Sequence, residues 1–468
     1  MSDLTLSTTL VGRPRAATFY RAVWRWHFYA GLVVVPFLLV LSLTGIIMLY
    51  GNSIETMLGK TYTVAANQKT IPLETQAAAA VAAIKDSSLK MVVRPAAATS
   101  ATMVVVNAND QDVVVTINPN DGSVLNTLNK DDTWFNWASN IHGTLMIGDL
   151  GDRLLETTAG LGIILVLSGL YLWWPRGETR LSSVLVPNFA TSGRAFWKEL
   201  HISTGFWFSL VMLGFLVTGL AWSGIWGGKI VQPWNTFPAE KWNNVPLSDK
   251  THAAMNHGAL KEVPWALEQT PLPESGSNAG LSGLPMGTNV DLDSVAYLAQ
   301  QIGFGGQFRI NVPQDETGVY TISADSMDGD TTSPFGDRTV HVDRYTGKIL
   351  ADVKFADYSL GGKSMAVGIA LHQGNTGWWN TALNLAFCLA IIFMTVSGVV
   401  MWWKRRPTGS SAKTLGAPLY PKEFRVPVGI MVIGAIVCVA FPLTGVAILA
   451  FALFDLLLPK RFKELGAA

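Results

Sequence analysis

The sequence predicts an α-helical integral membrane protein: a four-helix core made by tandem duplication, one extra helix, and two α+β domains outside the bilayer. Three observations predict it. Of the 468 residues 49% are hydrophobic and only 14% charged, with 17 Trp and 44 Gly, a balance foreign to soluble domains of this size. Five apolar stretches, 28–50, 154–174, 202–226, 379–403 and 427–457, reach the roughly 20 residues that a helix needs to cross a bilayer. The chain also repeats itself, so that two spans and the segment between them form a unit used twice.

The first stretch, Phe28 to Tyr50, follows a basic leader and is longer than a signal-peptide core, so it is expected to remain as a span. Lys and Arg in short connections stay cytoplasmic. The leader carries Arg13, Arg15, Arg21 and Arg25; the loop after the second span carries Arg176, Arg180, Arg194 and Lys198; the loop after the fourth carries Lys404, Arg405, Arg406, Lys413, Lys422 and Arg425. All three fall on one side, which places the N-terminus inside. The chain then divides into a cytoplasmic N-terminus (1–27), first span (28–50), outside domain (51–141), outer edge and second span (142–174), cytoplasmic loop (175–200) and third span (201–226). A second outside domain with an insert (227–370), an outer edge and fourth span (371–403), a cytoplasmic loop (404–426), a fifth span (427–458) and a tail (459–468) complete it. The fifth stretch is too long for one straight crossing and contains Pro442, which predicts a tilted or kinked helix. Its terminal "PKRFK" breaks the charge rule if the C-terminus is outside.

The duplication is read directly. "WHFYAGLVVVPFLLVLSLTG" and "LHISTGFWFSLVMLGFLVTG" share His27/Gly31 with His201/Gly205, and Thr44-Gly45 with Thr218-Gly219. The second and fourth spans share His142, Ser168-Gly169 and Trp173-Trp174 with His372, Ser397-Gly398 and Trp402-Trp403. Between them, 75–85 and 293–302 read as short helices. Alternating strands follow, then hairpins "VTINPNDGSVL" and "VHVDRYTGKIL", each with a Gly where a tight turn needs positive φ.

Of seven His residues, His27, His142, His201 and His372 each stand at the start of a duplicated span. Ionisable groups beside a membrane core are costly and mark function. The orientation makes two pairs, His27 with His201 at the cytoplasmic edge and His142 with His372 at the outer edge. A lone His at a helix end is ordinarily an interfacial residue, comfortable beside Trp24, Trp26 or Trp207. Repetition of all four points to ligation instead. Two imidazoles without a nearby Cys fall short of a zinc set but satisfy a b-type haem held between two helices. The absence of CxxCH makes any haem non-covalent. Gly31 and Gly205, one turn beyond their His, are expected to admit a macrocycle; Gly143, Gly148, Gly374 and Gly377 surround the outer pair, there as packing or loop residues. The expected cofactors are two bis-His haem b groups, with His27, His142, His201 and His372 as axial ligands. Arg25 and Lys198 are read first as positive-inside flanks, with haem propionates as the alternative. His252 and His257, in "THAAMNH", are expected in a solvated loop.

The formal net charge of +1 gives no reason to invoke nucleic acid. Cys388 and Cys438 lie within apolar spans without CxxC spacing, as small core residues. "GFGG" at 303–306 lacks the strand and helix of a dinucleotide site, and no Walker motif or nucleophile elbow is present. Electrons must therefore come from a cytoplasmic reductase or a membrane quinol. Membrane lipid is the surrounding partner.

The motifs "WRWHFYAGL", "HGTLMIG…SGLYLWWPR", "ELHISTGFW" and "LHQGNTGWW…SGVVMWWKRR" resemble those of the PepSY-associated transmembrane proteins over residues 20 to 460. That family includes iron-regulated inner-membrane proteins and periplasmic ferric-siderophore reductases. The resemblance implies a bacterial inner-membrane location, PepSY-like domains in the periplasm, and two b haems on His27, His142, His201 and His372. It also implies electron flow to a periplasmic ferric siderophore or chelate, making the chain a ferric-chelate reductase with no separate catalytic side chain. The alternatives are a non-enzymatic, membrane-anchored PepSY binding module and, ranked last because the repeat is parallel and the spans lack midplane charges, an iron-chelate transporter.

Overall fold

The computed structural model describes residues 13–60, 62–66, 69–175, 185–235, 242, 244–256, 263–406 and 426–457. Arg176, Arg180, Lys413, Lys422, Arg425, "PKRFK" and His257 lie outside them. Two compact units divide the chain: a helical unit of residues 1–43, 143–227 and 386–468, and a sheet unit of residues 44–142 and 228–385.

Four helices are long and apolar enough to cross a membrane: α1 (Arg13–Leu49), α5 (Asp149–Trp173), α6 (Gly193–Leu220) and α9 (Trp378–Arg405). Within the helical unit, small residues let spans approach, as expected where lipid gives helices no hydrophobic reason to associate. A methyl added at Gly162 of α5 would lie 3.1 Å from Leu216 of α6. Trp173 stacks on Phe206 with centroids 4.1 Å apart. Two carboxylates at the start of α5 are also explained: Asp152 accepts from the Gly224 N–H, and Glu156 from those of Ile225 and Trp226. These satisfy backbone donors beyond the end of α6 that would otherwise be orphaned.

The fifth stretch is not a single helix. Residues 428–457 form two helices, α10 (Val428–Ala440) and α11 (Pro442–Leu457), broken at Phe441. Pro442 removes a helical N–H and is tolerated only as the first residue of a new helix. At 1.5 Å per residue each piece is about 20–24 Å long, short of a hydrocarbon core of about 30 Å. A methyl on Gly445 would meet the Cys438 backbone at 2.9 Å, so α11 packs closely on α10.

The sheet unit contains α2 (Gly51–Met57), α3 (Leu73–Ala83), α4 (Trp134–Thr144), α7 (Leu292–Gln301) and α8 (Leu360–Gln373). The strands are β1 (Ser87–Arg94), β2 (Thr102–Ala108), β3 (Gln111–Ile117), β4 (Val124–Asn129), β5 (Leu247–Thr251), β6 (Pro271–Pro273), β7 (Phe308–Asn311), β8 (Val319–Ala324), β9 (Arg338–Asp343) and β10 (Ile349–Lys354). Each outside segment supplies four strands to one antiparallel sheet, in the order β10-β9-β8-β7-β1-β2-β3-β4, and β5 pairs with β6 apart from it. The seam is β1 with β7, pairing Val92 with Ile310 and Val93 with Arg309.

Helices α3 and α7 bury Ala77, Ala80, Val295 and Ala299 against Val92 and Ile310. Their N-termini cap one another. Asp293 of α7 accepts from the Leu73 and Glu74 N–H groups, and Glu74 of α3 accepts from the Leu292 N–H. The expected hairpins close at Gly122 (φ 79°) and Gly347 (φ 67°), where a side chain would be strained.

The insert folds across the other face of the second half-sheet, with Trp242, Val263 and Leu267 against Ala351 and Val353. This corrects the solvated-loop expectation for His252, which is 0% exposed, as is His341 of β9. Strand alternation turns His341 away from the helices that cover its neighbours Val340 and Val342. The Thr270 carbonyl can only accept, so His252 Nδ1 donates to it at 2.7 Å. His252 Nε2 must then accept from His341 Nε2 at 2.9 Å, and His341 Nδ1 accepts from Thr321 Oγ1 at 2.9 Å. The chain of bonds closes with both rings neutral.

Candidate metal centre

Hydroxyls orient His27, His201 and His142. In the helical unit His27 Nδ1 lies 3.0 Å from Ser168 Oγ, and His201 Nδ1 lies 2.8 Å from Ser397 Oγ. Each serine gives its own proton to its helix, Ser168 to the Leu165 carbonyl and Ser397 to the Met394 carbonyl, both at 3.0 Å. A hydroxyl has one proton, so each accepts from the imidazole and assigns the proton to Nδ1. The lone pair is left on Nε2. An outer hydrogen bond that fixes tautomer and ring orientation is the usual support of a metal-bound imidazole. Gly169 and Gly398 stand behind the rings: a methyl there would lie 3.1 Å from His27 Cε1 and 3.8 Å from His201 Cε1.

In the sheet unit, His142 Nδ1 lies 2.9 Å from Thr44 Oγ1. Its ring centroid is 6.4 Å from that of His372, with the planes at 81°. Two metal–nitrogen bonds of about 2 Å plus half a ring at each end come to roughly this separation. Neither residue begins a spanning helix. His142 is in the last turn of α4, followed by positive φ at Leu145, Met146 and Gly148; His372 is in the last turn of α8. Gly374, at φ 83°, caps α8, and Gly377, at φ 108°, precedes α9. Buried Asn380 and Asn384 of α9 hold that end of α8, donating to the Leu371 carbonyl at 2.9 and 2.8 Å, and Asn384 to the His372 carbonyl at 2.9 Å.

The family model for the PepSY-associated TM region matches residues 24–405. The chain belongs to the PepSY-associated TM family. Comparison with curated proteins gives no match.

Within the PepSY-associated core, Gly31 and Gly205 face side chains of neighbouring spans: a methyl would lie 3.7 Å from Leu165 at Gly31 and 3.0 Å from the Met394 methyl at Gly205. Gly143, by contrast, has nothing within 4 Å of such a methyl. Arg25 is buried with its guanidinium 4.9 Å from the Tyr29 ring, and Lys198 is exposed. Arg405 sits over Trp24 and Phe28 at 4.8 and 5.4 Å, a cation–π clasp from α9 to α1. Sequence reasoning missed the roles of Ser168, Ser397 and Thr44. Their signal was present, since all three belong to the Ser-Gly and Thr-Gly pairs that mark the repeat.

Proposed function

We propose that this chain is an electron-transfer protein of the bacterial inner membrane, with its N-terminus cytoplasmic and its sheet unit periplasmic. One haem b would be held by His27 and His201 and a second by His142 and His372. The observation that carries this reading is the hydroxyl-bound Nδ1 of His27, His201 and His142, which for His27 and His201 leaves Nε2 as the free lone pair. The 6.4 Å separation of the His142 and His372 rings supports it. Bound haem would supply a one-electron carrier. The protein's part is to hold four neutral imidazoles in fixed tautomers and to exclude water with apolar spans.

The proposed net reaction moves one electron at a time from a quinol or cytoplasmic reductase, which is oxidised, to a periplasmic ferric siderophore or chelate, whose iron leaves as Fe(II). A visible spectrum of the purified protein, oxidised and dithionite-reduced, is expected to show a Soret band and two haems per chain. His201→Ala and His372→Ala should each remove one. A protein without Soret absorbance, or one whose haem content survives both changes, sinks the reading. Reoxidation of the reduced protein by ferric chelates tests the acceptor.

A second reading, a membrane-anchored binding module without redox chemistry, would use the small open cleft of the sheet unit lined by Met91, Met255, His252 and Arg309. It predicts that no haem co-purifies.

A further inference from the structure

Residues 325–330, "DSMDGD", turn back on themselves immediately after β8. Asp325, Asp328 and Asp330 bring carboxylate oxygens within 4.8 Å of one another. One guanidinium answers them: Arg309 pairs with Asp328 and with Asp330, each at 3.0 Å. With all three ionised, as ligation requires, these carboxylates and the Arg309 guanidinium together carry a charge of −2. Asp337 adds a fourth carboxyl, occupied by the N–H and hydroxyl of Ser326.

Asp325 decides what the excess means. It is 1% exposed; its Oδ1 accepts from the Asp328 N–H at 2.8 Å, and its Oδ2 has no hydrogen-bond partner. Ionised, that oxygen is a buried charge without compensation. Protonated, it is a donor without an acceptor. A water could meet that oxygen in either form, but two further carboxylates with oxygens within 4.8 Å favour a cation that replaces the proton. Asp328 lines the cleft described above, which gives a route inward.

We propose that Asp325, Asp328 and Asp330 form a binding site for one hard divalent cation. The donors are all oxygens, the set that suits Ca²⁺, Mg²⁺ or Mn²⁺ and not a soft metal. A divalent ion cancels the two excess charges. The same loop is tied to the end of α8: Asn375, three residues after His372, donates to the Ser326 and Met327 carbonyls at 2.9 and 3.0 Å. A cation that orders the loop therefore also fixes the turn that follows His372. This holds whether or not haem is bound.

The experiment uses full-length protein in detergent, stripped with chelator and titrated with Ca²⁺, Mg²⁺ and Mn²⁺ by calorimetry, with hydrogen exchange read at residues 319–343. One cation per chain is expected, and protection of this segment should rise about 100-fold at a cation concentration 100 times Kd. Asp325→Asn and, separately, Asp330→Asn should abolish both responses. If none of the three ions binds, or if binding is unchanged in both variants, the proposal is wrong. Should one variant fail to fold, the other and the wild-type stoichiometry decide.

Discussion

Acidification should open the sheet unit at the His252–His341 pair. Burial, opposed by the bond to Thr270, lowers His252 from 6.5 to about 4; burial and then His252 hold His341 well below 6.5. Both shifts are downward, so the unfolded chain binds protons first. The native contribution is intact above about pH 6.5 and is lost as pH falls toward the folded value near 4. Between about pH 7.5 and about pH 5 the loss is about 2 kcal/mol for His252, roughly 30-fold in opening, and His341 adds in the same direction. The structural cause is burial: both rings are 0% exposed, and the chain from Thr321 through both rings to Thr270 offers an imidazolium only neutral partners. Asp325 and Asp337, whose carboxyls burial pushes up to about 8 and about 7, act with opposite sign. The comparison is therefore with His252→Gln/His341→Gln, in which only the imidazole contribution is gone. Hydrogen exchange at β8 and β9, in full-length protein, should show the wild type losing protection on acidification by more than about 30-fold relative to the variant. Parallel pH profiles would refute the reasoning.

Three further outcomes are expected. Ser168→Ala and Ser397→Ala should each leave the helices intact but weaken haem retention by about 10–100-fold and shift the haem potential, measured by haem release and redox titration. Asn384→Leu strips the Leu371 and His372 carbonyls of a donor and should cost about 1–3 kcal/mol, read as faster exchange in α8. Asp293→Ala uncaps α3, on the other segment's helix, and should lower stability by about 1 kcal/mol in thermal unfolding.

Four long apolar helices were legible from composition, and the four histidines stood out because duplication turns weak local signals into coincidences. His27 and His201 would each pass for interfacial residues alone. The partners Ser168 and Ser397 were visible only as repeat markers, since the pairing of a span with its neighbour is not written in either. The burial of His252 was illegible for a different reason. Its segment has no hydrophobic period, and what buries it is the distant Trp242 and His341. The hairpins at Gly122 and Gly347 rest on local turn chemistry and were readable. The join of β1 to β7 rests on pairing across more than two hundred residues and was not. Pro442 announced an interruption, but whether a helix bends or ends there depends on packing such as Gly445 against Cys438.

The β1–β7 seam has a consequence for biogenesis. Residues 87–129 leave the ribosome with one edge of their half-sheet, the β1 edge, lacking its partner, and residues 308–311 are made only after two more spans have been threaded into the bilayer. At about 5–20 residues per second that interval is roughly 10–40 s, during which an unpaired strand edge stands open to other chains. Nascent chains halted before residue 308 should be more protease-sensitive at 87–129 than those halted after 354. The molecule therefore depends on whatever shields that edge while its second half is still being built.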